Sequence, residues 1–161
     1  SVDSDYAADR TTRKSTTGTV VRLGMHVVKT TSNLQSSIGL NMSECEFYAL
    51  VHGGAHSLGM QSFLRDLGLE LTITLESDSK AAGAFCSRKG LGKQRHVETR
   101  FLWVQDMVAL GRFRTRKIPG ESNVSDILTK STTGTVLQRH ATTMGLVAIV
   151  RSRLQKSVNM G

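Results

Sequence analysis

Four acidic residues in separate parts of the sequence have the chemical character of a metal site. They are Asp3, Glu46, Asp78 and Asp126. If they converge, their charges repel one another unless cations lie between them. Magnesium suits such a site because it is a hard ion that takes oxygen ligands and keeps waters for a substrate phosphate. Two such ions about 4 Å apart would activate a water and stabilise the leaving oxygen in phosphodiester hydrolysis.

Each acid also has an ordinary structural interpretation. Ser43 and Glu46 have the spacing of a capping box at the start of a helix. Asp78 and Asp126 have the character of acids in the first turn of a helix, where the helix dipole stabilises them. Asp3 is also explained as a solvated residue near the start of the chain. Spacing alone does not decide whether the four meet.

The first half of the chain predicts a hairpin, a long helix and a strand. Residues 18–31 suggest two short β-branched strands joined at "LGM". Residues 43–69 have helical spacing of apolar residues. Gly53 and Gly54 interrupt that helix, so we expect a kink or a close backbone contact there. "LTITLES" alternates apolar and polar residues and predicts a strand that ends at Asp78.

The second half predicts further helices around one more strand. "DSKAAGAF" starts a short helix, "SRKGLGKQR" is a basic loop, and "HVETRFLWVQDMVALG" predicts a second long helix. "RFRTRKIPG" predicts a strand, and a last helix is expected from about residue 124 to 146. "KSTTGTV" occurs at 14–20 and 130–136, but we do not interpret it as a structural repeat. This order of elements favours an α/β domain over residues 1–146, with helices packed on the faces of a five-stranded mixed sheet, and a tail of uncertain order at 147–161.

Charge and composition limit the function classes. The 161 residues suit one domain, and the formal net charge is +8. Between Arg88 and Lys117 nine basic residues face only two acids, and such a patch favours a polyanion such as nucleic acid. Cys45 and Cys86 are too few for a disulfide framework and indicate reduced thiols in an intracellular protein. No apolar run is long enough to span a membrane, and no signal peptide is evident.

Five segments, in order, resemble the ribonuclease H domain of copia-type (Ty/copia, Pseudoviridae-like) retrotransposon Pol polyproteins. They are "VDSDYAAD…RKSTTGTV", "SECEFYAL", "ESDSKAA", "GKQRHVETRFLWVQDMV" and "VSDILTK". The resemblance covers residues 2 to about 130. It departs from the family at Tyr6, where a tryptophan is usual, and at "KTTSNLQ", which lacks the family's tryptophan and paired lysines. The chain begins two residues before Asp3, so we expect the first strand to be truncated relative to the family.

The resemblance implies a ribonuclease H-like fold in which Asp3, Glu46, Asp78 and Asp126 are the catalytic metal ligands. Glu46 is preferred to Glu44 because the family's catalytic glutamate precedes an alanine by three residues. Asp5 remains the alternative to Asp3. The implied cofactor is two Mg²⁺ ions, for which Mn²⁺ can substitute.

The implied activity is hydrolysis of the RNA strand of RNA/DNA hybrids during reverse transcription. The partners would be the hybrid and a reverse transcriptase domain in the parent polyprotein, with no membrane. The compartment would be the cytoplasm, in a virus-like particle, with the nucleus as a second location. Seven basic residues would bind the hybrid: Arg88, Lys89, Lys93, Arg95, Arg112, Arg114 and Arg116.

Two other functions remain open. The first is a catalytically inactive, domesticated or decayed module of the same fold that binds nucleic acid without cutting it. The second is an integrase or transposase core, from which the "SDILTK" segment points away. His96 matches a histidine common in the family, and we interpret it as structural rather than catalytic.

Overall fold

The computed structural model describes residues 1–92 and 96–146, which form a mixed α/β structure as predicted. The strands are β1 (Val2–Ser4), β2 (Thr16–Leu23), β3 (His26–Leu34), β4 (Ile73–Ser77) and β5 (Phe113–Lys117). The helices are α1 (Met42–Asp66), α2 (Lys80–Cys86), α3 (Trp103–Ala109) and α4 (Gly134–Thr143), with 3₁₀ turns at Thr99–Phe101, Gly120–Ser122 and Val124–Leu128. No helix among these residues is both long and apolar enough to cross a membrane.

The predicted hairpin is present as the antiparallel pair of β2 and β3, in which Thr19 lies opposite Thr31. The turn contains Gly24, whose positive φ of 60° is a conformation that glycine adopts without a steric cost. On its other side β2 pairs with the short strand β1, which places Asp3 opposite Gly18. The hairpin thus positions β1, the strand that carries Asp3.

The prediction of a single five-stranded sheet is wrong. The strands form two sheets, an antiparallel sheet of β1, β2 and β3 and a parallel pair of β4 and β5. β1 lies next to β4, but no backbone ladder joins these two strands. Beside Ser1, which precedes β1, a cavity of about 320 Å³ opens between β2 and β4, with Val20, Ile73 and Met60 in its lining.

A buried glutamate connects the two sheets across this cavity. Glu76 of β4 accepts a hydrogen bond from Arg22 Nη2 of β2 at 2.7 Å and another from Arg116 of β5. Burial favours the neutral acid, but the hydrogen bond from Arg116 and the nearby positive charges outweigh it and lower the pKa of Glu76. The Arg22–Glu76 ion pair therefore links the two sheets, while the Arg116–Glu76 pair lies within the sheet of β4 and β5.

Helix α1 packs across both sheets and contributes much of the core. Its Phe47 meets Phe85 of α2 with ring centroids 4.3 Å apart. The predicted close contact at the glycine pair is confirmed, because a Cβ on Gly53 would lie 2.3 Å from Val2 Cγ1 and one on Gly54 2.9 Å from Phe113 Cε2. The glycines allow α1 to lie directly on β1 and β5.

The predicted start of α1 is displaced by two residues. The N-cap is Asn41, whose side chain accepts a hydrogen bond from the backbone N–H of Glu44. Ser43 donates its hydroxyl to Asn41 Oδ1 instead of capping the helix. Asn41 precedes Glu44 at the same spacing as Ser43 precedes Glu46, and the prediction from Ser43 overlooked it. Glu46 is therefore free of the capping role.

Two predicted long helices are shorter in the structure. The segment from His96 forms a 3₁₀ turn and the seven-residue helix α3, and the last helix divides into the 3₁₀ turn Val124–Leu128 and α4. Residues 129–133 between them are four Ser or Thr residues and one lysine, and hydroxyl side chains compete for backbone hydrogen bonds. The two "KSTTGTV" copies lie in β2 and at the start of α4, which agrees with the absence of a structural repeat. The predicted tail at 147–161 lies outside the described residues.

Gly53→Ala should destabilise the fold by about 1–3 kcal/mol, because its methyl group would overlap Val2 at the contact between α1 and β1. Gly59→Ala is the matched control, since it lies in the same helix with no atom within 4 Å of the added Cβ. There the higher helix propensity of alanine should stabilise by up to about 1 kcal/mol. Urea unfolding of both variants measures the difference, and equal stabilities would contradict the packing argument.

Candidate metal centre

Three of the four predicted acids meet at one point. Asp3 extends from β1, Glu46 from the first half of α1, and Asp78 follows the carboxyl end of β4. One carboxylate oxygen from each lies within 4.8 Å of the others. Oxygen ligands of a single ion lie up to about twice the metal–oxygen distance apart, roughly 4–5 Å. The spacing of the three carboxylates thus suits a hard divalent cation, and Mg²⁺, with ligands at about 2.0–2.1 Å, would draw the oxygens to within about 4.2 Å of one another.

Two of the three acids are buried, and the cluster is electrostatically unfavourable without a cation. Asp3 is 1% exposed and Glu46 6% exposed. Burial, with the added negative charges of Asp3 and Asp78, raises the pKa of Glu46 to about 8. Burial also raises the pKa of Asp3, although a hydrogen bond from Thr129 and the charge of Lys130 oppose the effect. A bound cation would favour the ionised form of these carboxylates.

Neighbouring groups orient the carboxylates. The Ser4 backbone N–H donates to Glu46 Oε1 at 3.4 Å, and the Ser77 hydroxyl donates to Glu46 Oε2 at the same distance. The Thr129 hydroxyl donates to Asp3 Oδ2. Such outer contacts fix the direction of a metal ligand and are part of a working site.

Asp126 lies beside the cluster and is linked to it through a lysine. Its Oδ1 is 2.5 Å from Lys130 Nζ, and the same nitrogen is 3.5 Å from Asp3 Oδ2. The structure therefore brings Asp126 near Asp3 but not into the group of three oxygens. The ammonium group of Lys130 therefore lies between Asp126, the fourth predicted ligand, and Asp3.

The alternative acids have other partners. Asp5 Oδ1 accepts hydrogen bonds from the backbone N–H groups of Thr16 and Ala8, at 3.0 and 3.4 Å, and so shapes the loop between β1 and β2. Asp9 likewise accepts from the backbone N–H groups of the following turn, which begins at Thr11. Both acids hold the loop, while Asp3 belongs to the cluster.

Glu44 lies on another side of α1, where it is buried in a separate hydrogen-bond network. It accepts from the Tyr48 hydroxyl at 2.5 Å and from the Leu40 backbone N–H at 3.0 Å, and its Oε2 lies 2.7 Å from His96 Nε2. Burial, followed by the bond to Glu44, raises the pKa of Tyr48. His96 thus contacts the network that anchors the start of α1, and the carboxylate cluster lies elsewhere.

The described basic residues fall into two groups. Arg88 and Lys89 follow α2, which packs beside α1, and the Arg88 guanidinium lies 4.2 Å from the Phe85 ring centroid. In β5, Phe113 packs towards α1, so the alternation of the strand points Arg114 and Arg116 to the opposite face. The remaining residues of the predicted set are Arg112, exposed just before β5, and Lys93 and Arg95, which lie outside the described residues.

Sequence reasoning missed Thr129 and Lys130 as members of this site. The available signal was the spacing of four residues between Asp126 and Lys130, which predicts a pair on one helix face. A continuous helix from residue 124 would leave that pair on its surface. The break after Leu128 instead directs Lys130 towards Asp3.

Comparison with known proteins finds relatives among transposon polyproteins. The chain is 29% identical over 131 residues, 80% of its length, to the "Retrovirus-related Pol polyprotein from transposon TNT 1-94" of Nicotiana tabacum. It is 24% and 22% identical over 150 residues, 91% of its length, to the corresponding polyproteins from transposons RE1 and RE2 of Arabidopsis thaliana.

The chain spans about a tenth of the length of these relatives. No protein-family model and no solved structure matches it. The chain is thus similar to a part of retrovirus-related Pol polyproteins from plant transposons.

Proposed function

We propose that this chain is a ribonuclease H, an endonuclease that hydrolyses the RNA strand of an RNA/DNA hybrid. The convergence of Asp3, Glu46 and Asp78 carries the proposal, because two buried carboxylates and one partly buried carboxylate, from distant parts of the chain, are held within 4.8 Å of one another. The similarity to Pol polyproteins supports the proposal, as does the order of elements, which resembles that of the ribonuclease H-like fold.

In this proposal the four acids bind two cations. Asp3, Glu46 and Asp78 would hold one Mg²⁺, and Asp3 with Asp126 would contribute to the position of a second. Bound Mg²⁺ supplies Lewis-acid chemistry, because it lowers the pKa of a water and stabilises charge on phosphate oxygens. The chain itself fixes the carboxylates through Ser4, Ser77 and Thr129.

The reaction breaks one phosphodiester bond in the RNA strand. The water oxygen bonds to phosphorus as the bond between phosphorus and the 3′ oxygen breaks. The products are a 5′-phosphate and a 3′-hydroxyl, and the 3′ oxygen takes up a proton. Recognition of 2′-hydroxyls and of the A-like groove would select the RNA strand without reading its sequence.

Cleavage of a labelled RNA/DNA hybrid in Mg²⁺ and in EDTA tests the proposal, with duplex DNA and single-stranded RNA as control substrates. We expect Mg²⁺-dependent loss of the RNA strand of the hybrid alone. A folded protein that binds the hybrid without cutting it would contradict the proposal and favour the inactive binding module. Cleavage of duplex DNA at a comparable rate would favour another nuclease of this fold.

Arg88→Gln with Lys89→Gln should weaken hybrid binding and reduce the slope of log K against log salt by about 0.9 for each phosphate that the variant no longer neutralises. These residues lie beside α1, which carries Glu46 of the proposed centre. The control is the pair Arg112→Gln and Arg114→Gln, whose strand directs Arg114 to the other face. Fluorescence anisotropy across a salt series measures both. An equal loss of affinity in the control pair would show that the hybrid does not follow the α1 face.

A further inference from the structure

The ammonium group of Lys130 already occupies a cation position between two of the proposed ligands. It lies 2.5 Å from Asp126 Oδ1 and 3.5 Å from Asp3 Oδ2. The Lys130 side chain is about half exposed, while that of Asp3 is 1% exposed. The lysine therefore reaches from solvent onto a buried carboxylate.

Local backbone geometry holds Lys130 in this place. After the 3₁₀ turn Val124–Leu128, the backbone N–H groups of Thr129 and Lys130 both donate to the Asp126 carbonyl oxygen at 3.2 Å. Ser32 of β3 donates its hydroxyl to the Leu128 carbonyl oxygen at 2.6 Å. The segment is thereby anchored to the β2–β3 hairpin, and Thr129 and Lys130 both face Asp3.

An ion shared by Asp3 and Asp126 would need the volume that Lys130 Nζ occupies. Mg²⁺ lies about 2.0–2.1 Å from its oxygen ligands. The ammonium already contacts an oxygen of Asp126 at hydrogen-bond distance and approaches one of Asp3. The group of Asp3, Glu46 and Asp78 has oxygens within 4.8 Å of one another. Among the described residues, the ion pairs of Lys130 are with Asp126 and Asp3, and none is with Glu46 or Asp78.

We infer that Lys130 is an internal cation that occupies the Asp3–Asp126 side of the centre and makes metal loading sequential. One ion enters at Asp3, Glu46 and Asp78, and a second enters at Asp3 and Asp126 only after Lys130 moves aside. The lysine stem is flexible and half exposed, so this movement requires no change of the backbone. A substrate phosphate would favour it by offering the ammonium another anion.

Mn²⁺ titration of the folded chain without nucleic acid tests the inference, with free Mn²⁺ followed by electron paramagnetic resonance. The wild-type protein should bind one ion well before a second. Lys130→Met should tighten the second binding step at least about tenfold, because the competing charge is absent. Lys130→Arg retains the charge and should leave the second step weak. Lys29→Met is the control, since Lys29 lies on β3 beside His56.

An unchanged or weaker second step in Lys130→Met would overturn the inference, as would a protein that binds no Mn²⁺. Thermal unfolding in EDTA checks that each variant is folded, and Lys130→Gln gives a polar substitute if the methionine variant is not. The inference rests on the proposed centre, but its readout is separate from cleavage. A wild-type chain that loads sequentially yet cuts no hybrid would refute only the ribonuclease activity. A chain that cuts the hybrid while Lys130→Met leaves loading unchanged would refute only the role of Lys130.

Discussion

Asp78→Asn is expected to abolish cleavage of the RNA strand while the folded protein still binds the hybrid. Asp78 supplies one of the three converging carboxylate oxygens, so its amide would leave two acids to hold the cation. Loss of an outer-shell partner alone typically costs 10–100-fold, and a direct ligand should cost more than about 100-fold. The residues proposed to bind the hybrid are basic residues elsewhere, so hybrid binding should change little. Single-turnover cleavage and anisotropy measure the two effects separately.

Asp106→Asn is the control for this substitution. Asp106 is an exposed acid of α3 and is not part of the carboxylate cluster, so its amide removes the same charge without touching the centre. Cleavage by Asp78→Asn at the wild-type rate would show that the centre is assigned to the wrong residues. An equal loss of cleavage in Asp106→Asn would attribute the effect to net charge.

The identity and order of the elements could be predicted because local patterns determine them. The β-branched run before Gly24 and the alternation in "LTITLES" both became strands. Local patterns placed Asp3, Glu46 and Asp78 on or directly after a strand or near the start of a long helix, but their choice as ligands came from the resemblance to the ribonuclease H domain. Their meeting in space depends on how α1 packs on β1, which the glycine pair allows but periodicity does not encode.

The sequence predictions failed in two situations. In one, two similar local patterns competed, and in the other, the structure depended on residues far apart in the sequence. Asn41 and Ser43 are both good N-cap residues, and the structure uses Asn41. The division into two sheets arises because β1 and β4 do not pair, and no local pattern encodes the pairing of strands so far apart in the sequence. The role of Lys130 depends on a carboxylate at the opposite end of the domain's sequence, so no sequence window contains both partners.

The basic window illustrates the same limit for charge. Composition placed nine cations between residues 88 and 117, but a count does not show which face each side chain takes. Strand alternation in β5 directs Arg114 and Arg116 away from α1, and Arg116 is also paired with Glu76. A segment rich in basic residues thus predicts an anionic partner. It does not predict which surface of the protein binds that partner.

Glu46→Gln is expected to stabilise the metal-free protein in a pH-dependent manner. The raised pKa of Glu46, about 8 against 4.5 in the unfolded chain, means that the folded state holds a proton that the unfolded state releases. Wild-type stability should therefore be highest below pH 4.5 with respect to this group and fall as the pH rises towards 8. At 1.36 kcal/mol per pKa unit, the loss is about 3–5 kcal/mol.

Urea unfolding in EDTA between pH 4.5 and 8 measures this difference. Glutamine keeps the shape of the side chain and an acceptor for the Ser4 backbone N–H, but it does not titrate, so the Gln variant should lose less stability over that range. A smaller slope should remain, since burial also raises the pKa of Asp3. Mg²⁺ should reverse the order at pH 8, because only wild type keeps all three carboxylates and binding to the folded state stabilises it. Coincident pH profiles for the two proteins in EDTA would show that the pKa of Glu46 is not raised in the folded protein. The electrostatic argument for a cation at this centre would then fail.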